Sequence, residues 1–180
     1  MRELDSRLPA DDMECKSVDS QKFNLKELAR RGESLSVIFF ELTRYLTETY
    51  AIDKGVLILR QEQPCRLSAV STWKDGLGCD GLELRLPSDS SLFEQVAQHG
   101  QVYTEQFCGA FSGNFYEHRL LLNKDSRSFV VQPLRSEGCV VGLLAYSSEN
   151  VAAFTMFEEG ALDDFAAELG FVIASGRIHL

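Results

Sequence analysis

The feature that most constrains the fold is residues 128–147, which read SFVVQPLRSEGCVVGLLAYS. They predict two strands, Ser128–Leu134 and Cys139–Tyr146, joined by a polar turn that contains Gly138. The second strand is apolar almost throughout instead of alternating with polar residues, which is typical of a strand covered on both faces. We therefore expect this strand to lie at the centre of a sheet.

The rest of the chain predicts an α+β domain with a six-stranded, mainly antiparallel sheet. Long N-terminal and C-terminal helices flank this sheet, and short helices cross between its strands. The other predicted strands are Val56–Arg60, Arg66–Trp73, Leu82–Leu86 and Gln101–Gln106, and the long first helix is Leu25–Tyr50. We expect a flexible leader over residues 1–22, one domain over 23–176 and a short tail over 177–180.

Composition excludes several classes of function. The net charge is −9, and an acidic chain lacks the basic surface that binds nucleic-acid phosphates. No apolar run reaches the roughly 18 residues of a membrane span, and the polar start has no signal-peptide segment, so we expect a cytoplasmic protein. The five cysteines form no CxxC pair, which favours reduced thiols and predicts no metal site.

The long first helix carries an apolar stripe whose steps alternate between three and four residues. This spacing is close to the 3.5-residue period of a coiled coil, and it predicts a homodimer that forms through the terminal helices. The alternative is a wide amphipathic helix that serves only its own core. The residues of the predicted seam are Leu25, Leu28, Leu35, Phe39, Leu42 and Leu46.

A long connection over residues 107–127 combines aromatic and polar side chains. Connections of that length inside a compact domain are usually functional or contain a helix, and aromatic residues beside a few polar groups are typical of ligand pockets. His118 and Arg119 could hold an anion. The alternative is that the aromatic residues are ordinary core and the pair lies on a solvated helix face. The predicted ligand-binding residues are Trp73, Phe107, Cys108, Phe111, Phe115, Tyr116, His118, Arg119 and Tyr146.

The order of these elements and motifs resembles the GAF domain family over about residues 25–175. The most specific part is Pro133-Leu134, the turn with Gly138, the segment VVGLLAYSS, and Phe154-Thr155 opening a last helix. The chain departs from the pattern at residues 88–91, where it reads SDSS and many members have a glycine-bearing turn.

The resemblance implies a non-enzymatic, regulatory or sensory domain of a signal-transduction protein. It would bind a small molecule, dimerise, or do both, and control an output module or partner protein outside this chain. The alternatives are a ligand-free dimerisation or partner-binding module and, further off, an enzyme resembling free methionine sulfoxide reductase that uses Cys79 and Cys108. Asn123-Lys124-Asp125 matches only the opening of the cyclic-nucleotide signature, and Cys108 lacks the following histidine of bilin-binding members. No cofactor is assigned.

Overall fold

The computed structural model describes residues 23–61, 66–106, 111–155, 160 and 162–176. The predicted leader and tail lie outside these residues. The helices are α1 (Leu25–Arg30), α2 (Leu35–Tyr50), α3 (Leu92–His99), α4 (Phe115–Leu121) and α5 (Asp163–Ala174). The strands are β1 (Ile52–Gln61), β2 (Arg66–Lys74), β3 (Leu77–Cys79), β4 (Leu84–Arg85), β5 (Tyr103–Gln106), β6 (Ser128–Ser136) and β7 (Cys139–Ser148).

The sheet has seven strands in the order β3-β2-β1-β7-β6-β5, with β4 paired to β2, and its strand pairs are antiparallel. The prediction for β7 is confirmed, because this strand lies between β1 and β6 and is buried from Gly142 to Ser148. The additional strand is β3, which is absent from the predicted strands and lies in a segment rich in glycine. It pairs with β2 after a tight turn at Asp75 and Gly76, both of which have positive φ.

Helices cover both faces of the sheet. On one face α1, α2 and α5 pack over Leu144 and Tyr146 of β7, while on the other α3 and α4 pack over Leu143 and Ala145. Successive side chains of a strand point to opposite faces, so the apolar run of β7 supplies both cores. This is why its sequence does not alternate.

The prediction of one continuous helix over Leu25–Tyr50 is wrong, because the structure has two helices, α1 and α2, in this range. Gly32 has a φ of +74°, a left-handed conformation that interrupts the helix and that glycine adopts at little cost. Ser34 then starts α2 as its N-cap, with its hydroxyl accepting a hydrogen bond from the amide of Val37 at 3.3 Å.

The seam predicted for a dimer belongs to this chain's own core. Leu25, Phe39, Leu42 and Leu46 are fully buried, and Leu35 is nearly so. Leu28 is partly buried and packs against the same core. Because a stripe that faces its own sheet cannot also contact a second chain, the alternative of an amphipathic helix serving the core describes α1 and α2.

Candidate functional site

The sheet separates the predicted ligand-binding residues into two groups. Trp73 and Tyr146 lie in the core beneath α2, whereas Phe111 packs into the core beneath α3 and α4. Phe107 and Cys108 lie outside the described residues. The described members of the set therefore do not line one pocket.

Tyr146 is a core residue. Its ring stacks on Phe39 at 6.3 Å between centroids, and its hydroxyl lies 3.2 Å from the Thr43 hydroxyl. Complete burial raises the pKa of Tyr146 far above its usual value, because the phenolate would lose its hydration. Trp73 lies beside Phe40 with ring centroids 6.3 Å apart. Trp73 and Tyr146 are therefore core residues, which is the alternative to a ligand-binding role.

The predicted residues on α4 point in different directions. The Phe115 side chain is 71% exposed, and Tyr116 and Arg119 are also exposed. His118 is partly buried and meets the ring of Phe111 edge-on at 5.6 Å. Arg119 thus faces solvent, whereas His118 contacts an aromatic ring, and the two side chains do not form one site.

A buried carboxylate that the sequence reasoning missed holds α4 against α3. Glu117 is fully buried, and its side-chain oxygens accept hydrogen bonds from the Ser91 hydroxyl at 2.5 Å and from the amides of Leu92, Phe93 and Asn114 at 3.0 Å each. Two of these amides are the first donors of α3, where a negative charge is favoured. The sequence signal was the pattern Asn114-x-x-Glu117, a capping box that also starts α4.

Asn123 has a structural role in the turn between α4 and β6. Its amide nitrogen donates to the Asp53 carboxylate at 2.8 Å, and its side-chain oxygen accepts from the amide of Asp125 at 2.8 Å. The Ser147 hydroxyl donates to the other Asp53 oxygen at 2.8 Å. These contacts tie the turn to β1 and β7 and account for Asn123 without a ligand.

A cavity of about 590 Å³ lies between α5 and β6. Its position follows from β6, where Val130, Gln132 and Leu134 point toward α5 in alternation. Val130 and Leu134 join the core, while Gln132 lies in the cavity lining. The lining residues are Gly100, Gln101, Val102, Gln132, Pro133, Arg135, Gly160, Asp163, Ala166 and Ala167.

Gln132 is the least satisfied polar group in this cavity. Its side chain is only 3% exposed, and its amide nitrogen donates a long hydrogen bond of 3.4 Å to the Asp163 carboxylate. Within the described part of the chain, no donor reaches its Oε1 atom. A buried acceptor without a partner costs about 1–3 kcal/mol, which makes this amide a candidate contact for a bound molecule.

The cavity is built where α5 lies directly on the backbone of β6. A Cβ atom at Gly170 would overlap the carbonyl group of Arg135, so only glycine permits this approach. The Arg135 side chain extends to Gly100, where a Cβ atom would lie 2.9 Å from Nη2. The position of α5 is thus fixed beside two cavity residues, Arg135 and Asp163.

The described residues contain no cluster of three His, Cys, Asp or Glu side chains that could hold a metal ion. Two cysteines, Cys79 and Cys139, are exposed free thiols, and neither lines the α5–β6 cavity. No helix in the described ranges is long and apolar enough to cross a membrane.

Comparison with known families identifies the fold. The family model for the GAF domain matches residues 34–173. The chain belongs to the GAF domain family. This confirms the resemblance read from the sequence, and GAF domains are generally regulatory or sensory domains of signalling proteins. No curated protein matches the chain.

Solved structures of GAF domains share this fold at low sequence identity. One is the GAF domain of a phosphoenolpyruvate-protein phosphotransferase from Coxiella burnetii, with 18% identity, 85% of this chain and 90% of that chain covered, and a TM-score of 0.68. Another is the GAF domain of a two-component sensor histidine kinase from Bacillus halodurans, with 21% identity, coverages of 79% and 98%, and a TM-score of 0.60.

An enzyme also shares the fold. The free methionine-R-sulfoxide reductase from Neisseria meningitidis, solved in complex with its substrate, has 19% identity, coverages of 85% and 86%, and a TM-score of 0.64. At such identities the likeness concerns the fold alone.

Proposed function

We propose that this GAF domain is a sensory module that binds a small molecule in the α5–β6 cavity and controls an output module outside this chain. The observation that carries the proposal is the cavity itself, whose volume of about 590 Å³ falls in the range of roughly 300–1,000 Å³ typical of small-molecule sites. The unpartnered Oε1 of Gln132 supplies a polar group that a ligand would satisfy.

The route from ligand to output is α5. Asp163, Ala166 and Ala167 of this helix line the cavity, and Gly170 rests on the backbone of β6. A ligand that contacts both α5 and β6 favours the arrangement in which those contacts form, and it shifts the helix only as far as its affinity differs between arrangements.

A thermal-shift screen with amino acids, nucleotides and 2-oxo acids tests ligand binding. At a concentration about 100-fold above its dissociation constant, a ligand stabilises the folded state by about 2.7 kcal/mol. In a domain of this size we expect this to raise the melting temperature by roughly 5–10 °C. A screen in which every compound leaves the melting temperature unchanged would count against a sensory role.

The non-enzymatic part of the proposal rests on the thiols. A methionine sulfoxide reductase needs a reactive thiolate and a resolving thiol near one pocket. Cys79 lies on β3 and Cys139 opens β7, and both are outside the α5–β6 cavity lining. Cys108, the other thiol predicted for a reductase, lies outside the described residues.

Dimerisation is a second proposed role, favoured by the surface that α1 and α5 share. Phe171 is 62% exposed there and lines a groove with Ala29 and Val172. Exposed aromatic residues of this kind are enriched at protein interfaces. We propose that the terminal helices pair through this outer surface, since the inner stripe of α1 and α2 is buried.

Sedimentation at micromolar concentration tests the pairing. We expect the wild type to sediment as a dimer and Phe171→Asp to sediment as a monomer, because a carboxylate in an apolar interface loses its hydration. Leu77→Asp is the matched control, since Leu77 is exposed on β3 and its replacement should leave the dimer intact. If the wild type sediments as a monomer, the proposed dimerisation is wrong.

A further inference from the structure

We infer that the ligand of the α5–β6 cavity is a small zwitterion of the α-amino-acid class with an aliphatic side chain. This inference rests on the proposed sensory function and names its ligand chemistry. It follows from the charges, the unpaired amide and the apolar part of the lining.

Two opposite charges line the cavity without neutralising each other. Arg135 and Asp163 are both lining residues, yet they are absent from the ion pairs that the described residues form. Guanidinium binds a carboxylate through two parallel hydrogen bonds. An aspartate carboxylate accepts hydrogen bonds from an ammonium group, which is a compact charge with three donors and has no planar fork. A ligand that carries both a carboxylate and an ammonium group would supply a partner for each of these side chains.

The Gln132 amide completes the ammonium subsite. It already donates from Nε2 to Asp163 Oδ1, which fixes the amide beside that carboxylate, and its buried Oε1 lacks a donor in the described part of the chain. An ammonium group has three donors. It can therefore serve Asp163 and Gln132 together, whereas a second carboxylate would be repelled by Asp163.

The remaining lining suits a small aliphatic group and disfavours nucleotides. Val102, Pro133 and Ala166 contribute apolar surface, and Ala166 is buried. A nucleotide would bring one negative charge if it is cyclic and about two or more otherwise, with no phosphate partner for Asp163, to a chain whose net charge is −9. The charge balance therefore favours an amino acid over a nucleotide.

Three sets of ligands of matched shape test the inference by thermal shift and calorimetry. The first is aliphatic L-amino acids such as leucine, the second is the corresponding amines without the carboxylate, and the third is the corresponding 2-oxo acids without the ammonium group. Arg135 and Asp163 are both exposed, so water can solvate either one. We expect at least one amino acid to bind and its amine and 2-oxo acid to bind at least tenfold more weakly, because each lacks one of the two charge-assisted contacts.

Variants connect this selectivity to the named side chains. Arg135→Gln and Asp163→Asn should each weaken binding of the amino acid about tenfold or more. Asp164→Asn is the matched control, because it removes a charge from the same first turn of α5 at a residue outside the cavity lining. Gln132→Leu should weaken binding while the protein stays folded, since the substitution removes a buried acceptor that has no partner.

The outcomes separate this inference from the function on which it rests. Binding of the amine or the 2-oxo acid as tightly as the amino acid, or equal losses in Asp163→Asn and Asp164→Asn, would overturn the zwitterion assignment. If only a nucleotide or another non-zwitterion binds, and does so in the cavity, the assignment fails and the sensory function stands. If no compound in either screen binds, both fail.

Discussion

Replacing Glu117 by alanine should lower the free energy of unfolding by about 3–5 kcal/mol. The substitution leaves the Ser91 hydroxyl and the amides of Leu92, Phe93 and Asn114 without their acceptor at a fully buried position. Each buried donor that loses its partner costs about 1–3 kcal/mol, and relaxation or entering water recovers part of that cost. Urea denaturation with linear extrapolation measures the loss.

Glu94→Ala is the control for this measurement. Glu94 lies in the first turn of the same helix α3, so its loss removes only a favourable charge near the helix N-terminus, worth about 0.3–1 kcal/mol. If Glu117→Ala costs no more than Glu94→Ala, the carboxylate does not hold α4 on α3 as described.

Gly170→Ala should destabilise the protein by up to about 2 kcal/mol, although helix propensity alone predicts the opposite sign. Alanine is favoured over glycine inside a helix by about 1 kcal/mol. At this position, however, the added Cβ would overlap the Arg135 carbonyl group. Backbone atoms cannot rotate away as a side chain can, so α5 must shift from β6, and such overpacking costs typically 1–3 kcal/mol.

Ala174→Gly calibrates the propensity term on the same helix. Ala174 is exposed at the end of α5, where glycine should cost up to about 1 kcal/mol. Chemical denaturation of both variants gives the comparison. A Gly170→Ala protein more stable than the wild type would show that α5 does not rest on the β6 backbone.

Local patterns in the sequence predicted most of the fold. The apolar run of β7 indicated a strand covered on both faces. The pattern Ser91-x-x-Glu94 is also a start signal for α3, where the Ser91 hydroxyl accepts from the Glu94 amide at 3.0 Å. The break between α1 and α2 was missed because the apolar stripe continues across Gly32, from Leu28 to Leu35. The glycine itself and the following Ser34, a preferred N-cap residue, form a local sequence signal that could have located the break.

The dimer seam was misassigned because two periods are hard to separate over a short helix. A 3.5-residue stripe drifts only about 20° per heptad from a 3.6-residue one, and α2 has 16 residues. The same leucines and phenylalanines therefore fit a partner helix or the chain's own sheet. Because Phe39 and Leu42 are fully buried, the stripe faces the chain's own sheet and not a partner helix.

The candidate site was harder to predict because its contacts join distant parts of the chain. Gln132 meets Asp163 across 31 positions and Glu117 meets Ser91 across 26, and no local pattern encodes such pairs. Most residues of the predicted site are aromatic, and aromatic residues mostly fill cores. Gln132 was visible as the one polar interruption of an apolar strand, a signal that indicates either a bulge or a polar site.

The central claim is that a small molecule binds between α5 and β6, and thermal shift on two matched variants tests it most directly. Gln101→Trp adds bulk at an exposed residue of the cavity lining, and Gln98→Trp adds the same bulk at an exposed residue outside it. For a compound that stabilises the wild type, we predict that Gln101→Trp abolishes the shift and Gln98→Trp retains it. Full shifts in both variants would contradict binding in the α5–β6 cavity.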